Sequence, residues 1–380
     1  MRSLLNPFIL TVTAILATAY AYAAWRLTSS LAGALLLALP FLAIWVVPVV
    51  YWRRGREDDG RLDEIAHVAS YLCMGWVNFL ILVLLARDLL LLAAGPLSLP
   101  WLERMLVAGG APLVFVLAFA ALGLGALAAL RGPRLRRVRV PVEGLSPSLE
   151  GLRIAQISDL HVGPTIGAAF VRRVVRMANR LEPDLTVLTG DIVDGPVERL
   201  APGVAPLAEL AAPRGVFLVM GNHDYYSGAA AWIPHFRSLG LKVLLNQAES
   251  FVRRGARVVV GGVVDPAVRL FDPRQSPRPE LAAAPELGPA FRLLLAHNPQ
   301  LAPLGERAGF DLQLSGHTHA GQFFPWTLAV RWVHMPHVAG LSRQGRMWVY
   351  VNPGTGSWGP PVRFGTTPEL TLLELVRAPG

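Results

Sequence analysis

A chain of 380 residues, with 53% hydrophobic side chains and a mean hydropathy of +0.43, is too long for one small domain and too apolar for an ordinary soluble one. Its net charge of +9 is almost all arginine, Lys242 being the sole lysine, and much of it flanks apolar runs. That placement suits anionic lipid headgroups rather than a nucleic-acid groove, and the single cysteine, Cys73, excludes an intramolecular disulfide and a thiolate metal site.

The apolar excess lies in residues 1–133, read as a transmembrane region. A hydrocarbon core about 30 Å thick needs roughly 20 apolar residues as helix. Four segments, about 7–25, 31–52, 65–86 and 105–130, have that length and predict a four-helix membrane unit. Aromatic residues gather at the run ends (Tyr20, Tyr22 and Trp25; Tyr51 and Trp52; Trp101), as interfacial anchors do. Pro40 and Pro48 interrupt the second run and predict a bend there. One side would carry ten arginines, Arg2, Arg53, Arg54, Arg56, Arg61, Arg131, Arg134, Arg136, Arg137 and Arg139, against Arg26, Arg87 and Arg104 on the other. The arginine-rich side is cytoplasmic by the positive-inside rule, which places everything after residue 131 there, at an inner or plasma membrane. Arg2, an apolar stretch and Ala21-Tyr22-Ala23 also fit a cleavable signal peptide, whose removal would leave the later spans unchanged. In the third run, His67, Cys73 and Asn78 are read as helix packing, with a polar path as the alternative.

Residues 134–149 form a basic linker whose alternating segment Leu135–Val142 predicts a first strand. A third region, 150–380, alternates short apolar runs with helical spacing. Leu152–Ile157, Leu185–Leu188, Val216–Met220, Val258–Val260, Phe291–Ala296 and Leu312–Leu314 have strand length, and Ala168–Leu181 has helical period. Such alternation predicts an α/β sheet with ligands gathered at the carboxyl ends of the strands. There the chain places Asp159-Leu160-His161, Gly190-Asp191-Ile192-Val193-Asp194, Gly221-Asn222-His223-Asp224, His297 and Gly316-His317-Thr318-His319. One such cluster means a turn; five in series, each bringing carboxylate, amide or imidazole to a strand end, are hard to explain as turns. Glycines 190, 221 and 316 are expected to turn the backbone sharply, and Gly262, Gly354 and Gly356 are read as turn glycines. His235, His334 and His337 fall outside the clusters and are read as structural.

The ordered set Asp-x-His, Gly-Asp-x-x-Asp, Gly-Asn-His-Asp, His and Gly-His-x-His resembles the calcineurin-like metallophosphoesterase superfamily over about residues 150–380. Gly316–Gln322, with the tail segments Asn352–Gly356 and Pro361–Gly365, is similar to a bacterial membrane-associated branch that includes the chlamydial-type UDP-2,3-diacylglucosamine pyrophosphatase. Ala320 stands where that branch usually has glycine. The resemblance implies a β-sandwich flanked by helices and two divalent ions, Mn, Fe or Zn. One ion would be held by Asp159, His161, Asp191 and His319, the other by Asp191, Asn222, His297 and His317, with Asp191 shared. Mixed oxygen and nitrogen donors suit those metals, and a shared carboxylate holds two ions about 3.5–4 Å apart. The resemblance casts His223 as a general acid or as a stabiliser of charge on the phosphoryl group, and Asp194 and Asp224 are read as groups that orient the ligands.

The expected activity is hydrolysis of a phosphodiester or pyrophosphate whose other end is a lipid, the bilayer being the chain's partner. Phe323, Phe324 and Trp326, close behind His319, are expected to contact that substrate, with core packing as the alternative. Two other readings remain, a catalytically silent membrane scaffold and a phosphodiesterase acting on a soluble nucleotide. Nucleic acid is not expected as a partner, since no basic, aromatic-laced groove is evident.

Overall fold

A computed structural model of the chain describes residues 7–48 and 60–378. They form two compact units, residues 7–127 with 359–362 and residues 128–358 with 363–378.

Among the described residues of the first unit run α1 (Pro7–Leu27), α2 (Leu31–Ala43), α3 (Arg61–Ala94) and α4 (Pro100–Leu130), the last of which ends just beyond it. Among the described residues, Leu62–Ala94 and Pro100–Leu130 are long and apolar enough to cross a bilayer. Within the expected second span, 31–52, α2 runs for 13 residues and ends three residues beyond Pro40, the chain is helical again at 46–48, and residues 49–52 lie outside the described residues. Ser30 caps the start of α2 by accepting a hydrogen bond from the Gly33 amide at 3.1 Å. Tyr51, Trp52 and Arg2, Arg53, Arg54 and Arg56 lie outside the described residues. The α4 helix is kinked at Gly110 (φ 48°, ψ −144°), two residues before Pro112. Asp88 of α3 binds α1 through Arg26 at 2.7 Å and Tyr22 at 2.7 Å. His67 contacts the carbonyl of Asp63, one turn earlier in α3, at 3.1 Å.

In the second unit, the described strands form two mixed six-stranded sheets. The first runs β1 (Arg134–Val142), β12 (Glu369–Arg377), β2 (Arg153–Ile157), β3 (Leu185–Leu188), β4 (Val216–Leu218), β5 (Lys242–Val243). The second runs β10 (Gly340–Gln344), β11 (Met347–Val351), β9 (Leu312–Ser315), β8 (Phe291–Leu295), β7 (Ala256–Gly262), β6 (Gln247–Arg253). The central strands are short apolar runs because both faces are covered, as the wholly buried Leu185–Leu188 shows. Between the sheets, Ile154, Val187, Phe217 and Leu373 meet Val260, Leu293, Leu314 and Tyr350 in one core. Over the other face of the first sheet lie α5 (Ala168–Asn179), α6 (Val197–Val204), α7 (Asn222–Tyr226) and α8 (Ala229–Ser238). Helix α5 buries Val171, Val174, Val175 and Ala178, an i, i+3, i+4, i+7 stripe in which each valine contributes about 1.5–3 kcal/mol. The second sheet's outer face carries α9 (Pro279–Ala282) and α10 (Ala302–Arg307), and α11 (Trp326–His334) follows β9.

Among the described strands, the basic segment 134–142 is an edge strand, paired in parallel with β12. Arg134, Arg136, Arg137 and Arg139 stay exposed, where charge discourages further strand addition. Gly262 lies inside β7 rather than in a turn, and a Cβ there would come 2.4 Å from that of Leu244.

Candidate metal centre

The parallel strands β2, β3, β4, β8 and β9 end in the residues that the sequence singled out. Tight backbone geometry delivers them. Asp159, His161, Asp191, His317 and His319 all adopt positive φ, between 49° and 73°. This left-handed region costs a non-glycine residue roughly 1–2 kcal/mol, strain typical of functional sites. Gly190 makes the expected turn with φ 88°. Gly221, at φ −98°, and Gly316 do not, and they are glycines for a different reason. A Cβ on Gly221 would sit 2.2 Å from Asp191 Oδ1, and one on Gly316 2.2 Å from Asp159 Oδ2, so both make room for a carboxylate.

The donors converge in two groups. In one, His319 Nε2 lies 3.0 Å from His161 Nε2 and 3.4 Å from Asp159 Oδ1. In the other, Asn222 Oδ1 lies 2.9 Å from His317 Nδ1 and 3.2 Å from His297 Nε2, with the two ring nitrogens 3.3 Å apart. Asp191 Oδ2 stands between the groups, 3.2 Å from His297 Nε2 and 3.8 Å from His161 Nε2.

These spacings fit a metal. Ligands bound at about 2.0–2.2 Å around one ion stand about 3.0–3.4 Å from one another. Asp159 Oδ2 is buried without a hydrogen-bond partner, a costly arrangement for a carboxylate that has no cation beside it. His297 Nδ1 contacts the Thr189 carbonyl at 2.7 Å and His161 Nδ1 contacts Asp194 at 3.0 Å, so each ring keeps its Nε2 lone pair for a ligand. Burial also holds two imidazoles neutral, His317 pulled down to about 3 and His319 well below its ordinary value.

Asp194 Oδ1 also meets His223 Nδ1 at 2.8 Å, and the His223 amide donates to Asp191 Oδ1 at 2.8 Å. Burial pulls the His223 imidazolium down, but the Asp191 charge and the Asp194 bond and charge outweigh it and push it up to about 9. Asp224 contacts no candidate ligand side chain. Its carboxylate accepts from the amides of Ile192, Val193 and Gly221 at 2.8, 3.1 and 2.8 Å, tying together the loops that carry Asp191 and Asn222.

The aromatic segment divides. Phe323 is buried and its backbone bridges to Phe364, while Phe324 and Trp326 are exposed. His334, read from sequence as structural, lays its ring 5.4 Å from that of His317. His337 is buried on Ser342 and Gln344, and His235 packs on Trp232.

Several neighbours escaped the sequence reading. Arg363 is fully buried, donates to the carbonyls of Pro353 at 2.7 Å and His319 at 3.1 Å, and brings its guanidinium 3.2 Å from His319 Nδ1. Gly354 makes space for it, since a Cβ there would lie 2.7 Å from the guanidinium and 2.9 Å from His319 Nδ1. Tyr226 and Trp358 each pack 5.6 Å from the His223 ring, and Phe271 stands 6.3 Å from Tyr226, an exposed aromatic collar around His223. Gln322 exchanges two 2.9 Å hydrogen bonds with the backbone of Trp358 and so fixes that side of the collar. The only sequence signal for these was Arg363 and Gln322 standing inside the quoted motifs.

A family model described as calcineurin-like phosphoesterase matches residues 152–321. A Danio rerio transmembrane protein with metallophosphoesterase domain is 36% identical over 264 residues, covering 67% of this chain and 60% of that protein. An uncharacterized metallophosphoesterase of Helicobacter pylori is 33% identical over 251 residues, 65% of each chain. Another, from Aquifex aeolicus, is 31% identical over 244 residues, 64% of this chain and 91% of its own. The chain therefore spans less than two thirds of the length of the zebrafish and Helicobacter relatives.

Proposed function

Because the chain belongs to the calcineurin-like metallophosphoesterase family, we propose that it is a membrane-anchored, two-metal phosphoesterase that cleaves a phosphodiester or pyrophosphate bond of a lipid-linked substrate. The observation that carries the two-metal reading is Asp191, whose Oδ2 lies within 3.8 Å of imidazole nitrogens in both donor groups. On this reading Asp159, His161, Asp191 and His319 hold one ion and Asp191, Asn222, His297 and His317 the other. Mn, Fe or Zn fits a set of oxygen and nitrogen donors without thiolate. Bound there, the ions would lower the pKa of a shared water and offset charge on the phosphoryl oxygens.

The protein's own groups supply the rest. His223, held by Asp194 and charged at neutral pH, donates a proton to the leaving oxygen. Asp194 also orients His161, so one carboxylate aligns the acid with a ligand. The collar of Tyr226, Phe271 and Trp358 offers apolar and stacking contacts to the part of the substrate beyond the phosphate.

Membrane attachment supports the lipid assignment, since a soluble substrate needs no tether. The apolar helices Leu62–Ala94 and Pro100–Leu130 and the relatives named as transmembrane proteins support the attachment. The proposed topology has four crossings and a cytoplasmic catalytic unit, as the arginine distribution indicates. UDP-2,3-diacylglucosamine or a phospholipid is the favoured substrate. The test compares the parent with Phe324→Ser and Trp326→Ser, in metal-loaded full chain, on a lipid-linked pyrophosphate and on a water-soluble diester. Loss confined to the lipid supports the assignment. Equal loss on both, or no activity on any lipid-linked phosphate, overturns it.

A further inference from the structure

Helix α11 begins seven residues after His319, and its last residue, His334, packs 5.4 Å from the His317 ring. It therefore lies beside the metal centre. None of its nine residues is buried. Its sequence nevertheless is that of a covered helix: Trp326, Leu328, Trp332, Val333 and the following Met335 are all exposed, Trp332 to 95%. A short helix draws its stability from packing, since fewer than about 12–15 residues are marginal alone in water. An exposed run of large apolar side chains on such a helix marks a surface that is covered in use.

The chain's own apolar helices identify the cover. Leu62–Ala94 and Pro100–Leu130 give the chain a bilayer of its own, so this surface works within reach of one without recruiting a partner. Tryptophan is enriched at the membrane–water boundary, and α11 carries two. The charged residue of the helix is Arg331, and Arg346 is likewise exposed, whereas no Asp or Glu occurs between Asp311 and Glu369, so nothing in this segment repels an anionic headgroup. We infer that α11 is an interfacial helix, lying in the headgroup layer with Leu328, Trp332 and Val333 turned toward the acyl chains and seating the mouth of the metal centre on the bilayer. The inference requires membrane attachment but not a lipid substrate.

The full chain in liposomes tests it. In a Cys73→Ser background, Leu328→Cys, Trp332→Cys and, as a control in the turn between β6 and β7, Arg254→Cys are each labelled with an environment-sensitive fluorophore. All three sites are exposed, so labelling does not require the fold to open. The expected result is blue-shifted emission at 328 and 332, quenched several-fold more by lipid-borne nitroxide than by aqueous iodide, with the reverse at 254. Quenching by iodide at 328 and 332 equal to that at 254 overturns the inference. So does blue-shifted emission insensitive to lipid nitroxide, which assigns the surface to a second copy or another protein. Activity is not the readout, so an error in the substrate assignment leaves this result untouched.

Discussion

His223 Nδ1 lies 2.8 Å from Asp194 Oδ1, and this contact joins the proposed acid to the carboxylate that also orients His161. A His223→Ala variant is expected to keep its metals and lose about 10²–10⁴-fold in turnover. Metal analysis alongside kcat checks this, and loss of metal would show that His223 is a ligand.

The same contact sets a pH limit. Despite burial, Asp191 and Asp194 raise the His223 pKa to about 9, so the protonated acid persists through neutral pH and is lost as pH rises through that value. The alkaline limb of log kcat should fall near pH 9 and move downward in Asp194→Asn. An unmoved limb would assign the titration to another group. Because Asp194 also holds His161, metal affinity in this variant should fall about 10–100-fold.

Asp191 is, among the described residues, the carboxylate that reaches both donor groups. Asp191→Ala should abolish hydrolysis and reduce bound metal. Retention of more than a few per cent of activity with two metals still bound would contradict its bridging role.

Gly221→Ala would place a methyl 2.2 Å from Asp191 Oδ1, and the backbone cannot relax cheaply there. The expected outcome is loss of activity with lowered thermal stability, read by kcat and Tm. Ala320→Gly should do the opposite. Ala320 holds φ 52° and ψ 24°, a left-handed conformation that costs alanine about 1–2 kcal/mol, of which the unfolded-state entropy of glycine offsets about half. A Tm that falls in this variant would refute the strain.

Arg363 anchors His319 from behind through carbonyls spread along the tail. A lysine keeps the charge but not the planar fork, so Arg363→Lys should weaken metal binding about 10-fold and lower Tm. Titration of metal against the parent decides it.

The residues that meet at the metal centre were legible because each follows an apolar run of strand length, and strand ends in an α/β sheet collect at one edge. Local pattern also foretold α5 and the central strands. It did not determine that β1 pairs with β12, more than 200 residues away, which turns the arginine run into a guarded sheet edge. Nor could pattern separate Phe323 from Phe324, neighbours of one chemistry, because a backbone bridge to Phe364 directs the first into the core and leaves the second in solvent. Arg363 stands 44 positions from His319 and Trp358 stands 135 from His223, and neither spacing has a period that a sequence can display. The sequence by itself determined which side chains could bind metal and on which strand ends they sit, because those depend on residue type and local period. Only the tertiary structure decided which carboxylate faces both groups, which aromatic side chains surround the acid and which arginine is buried behind a ligand. Those depend on contacts between distant segments, set by how the two sheets close on their shared core.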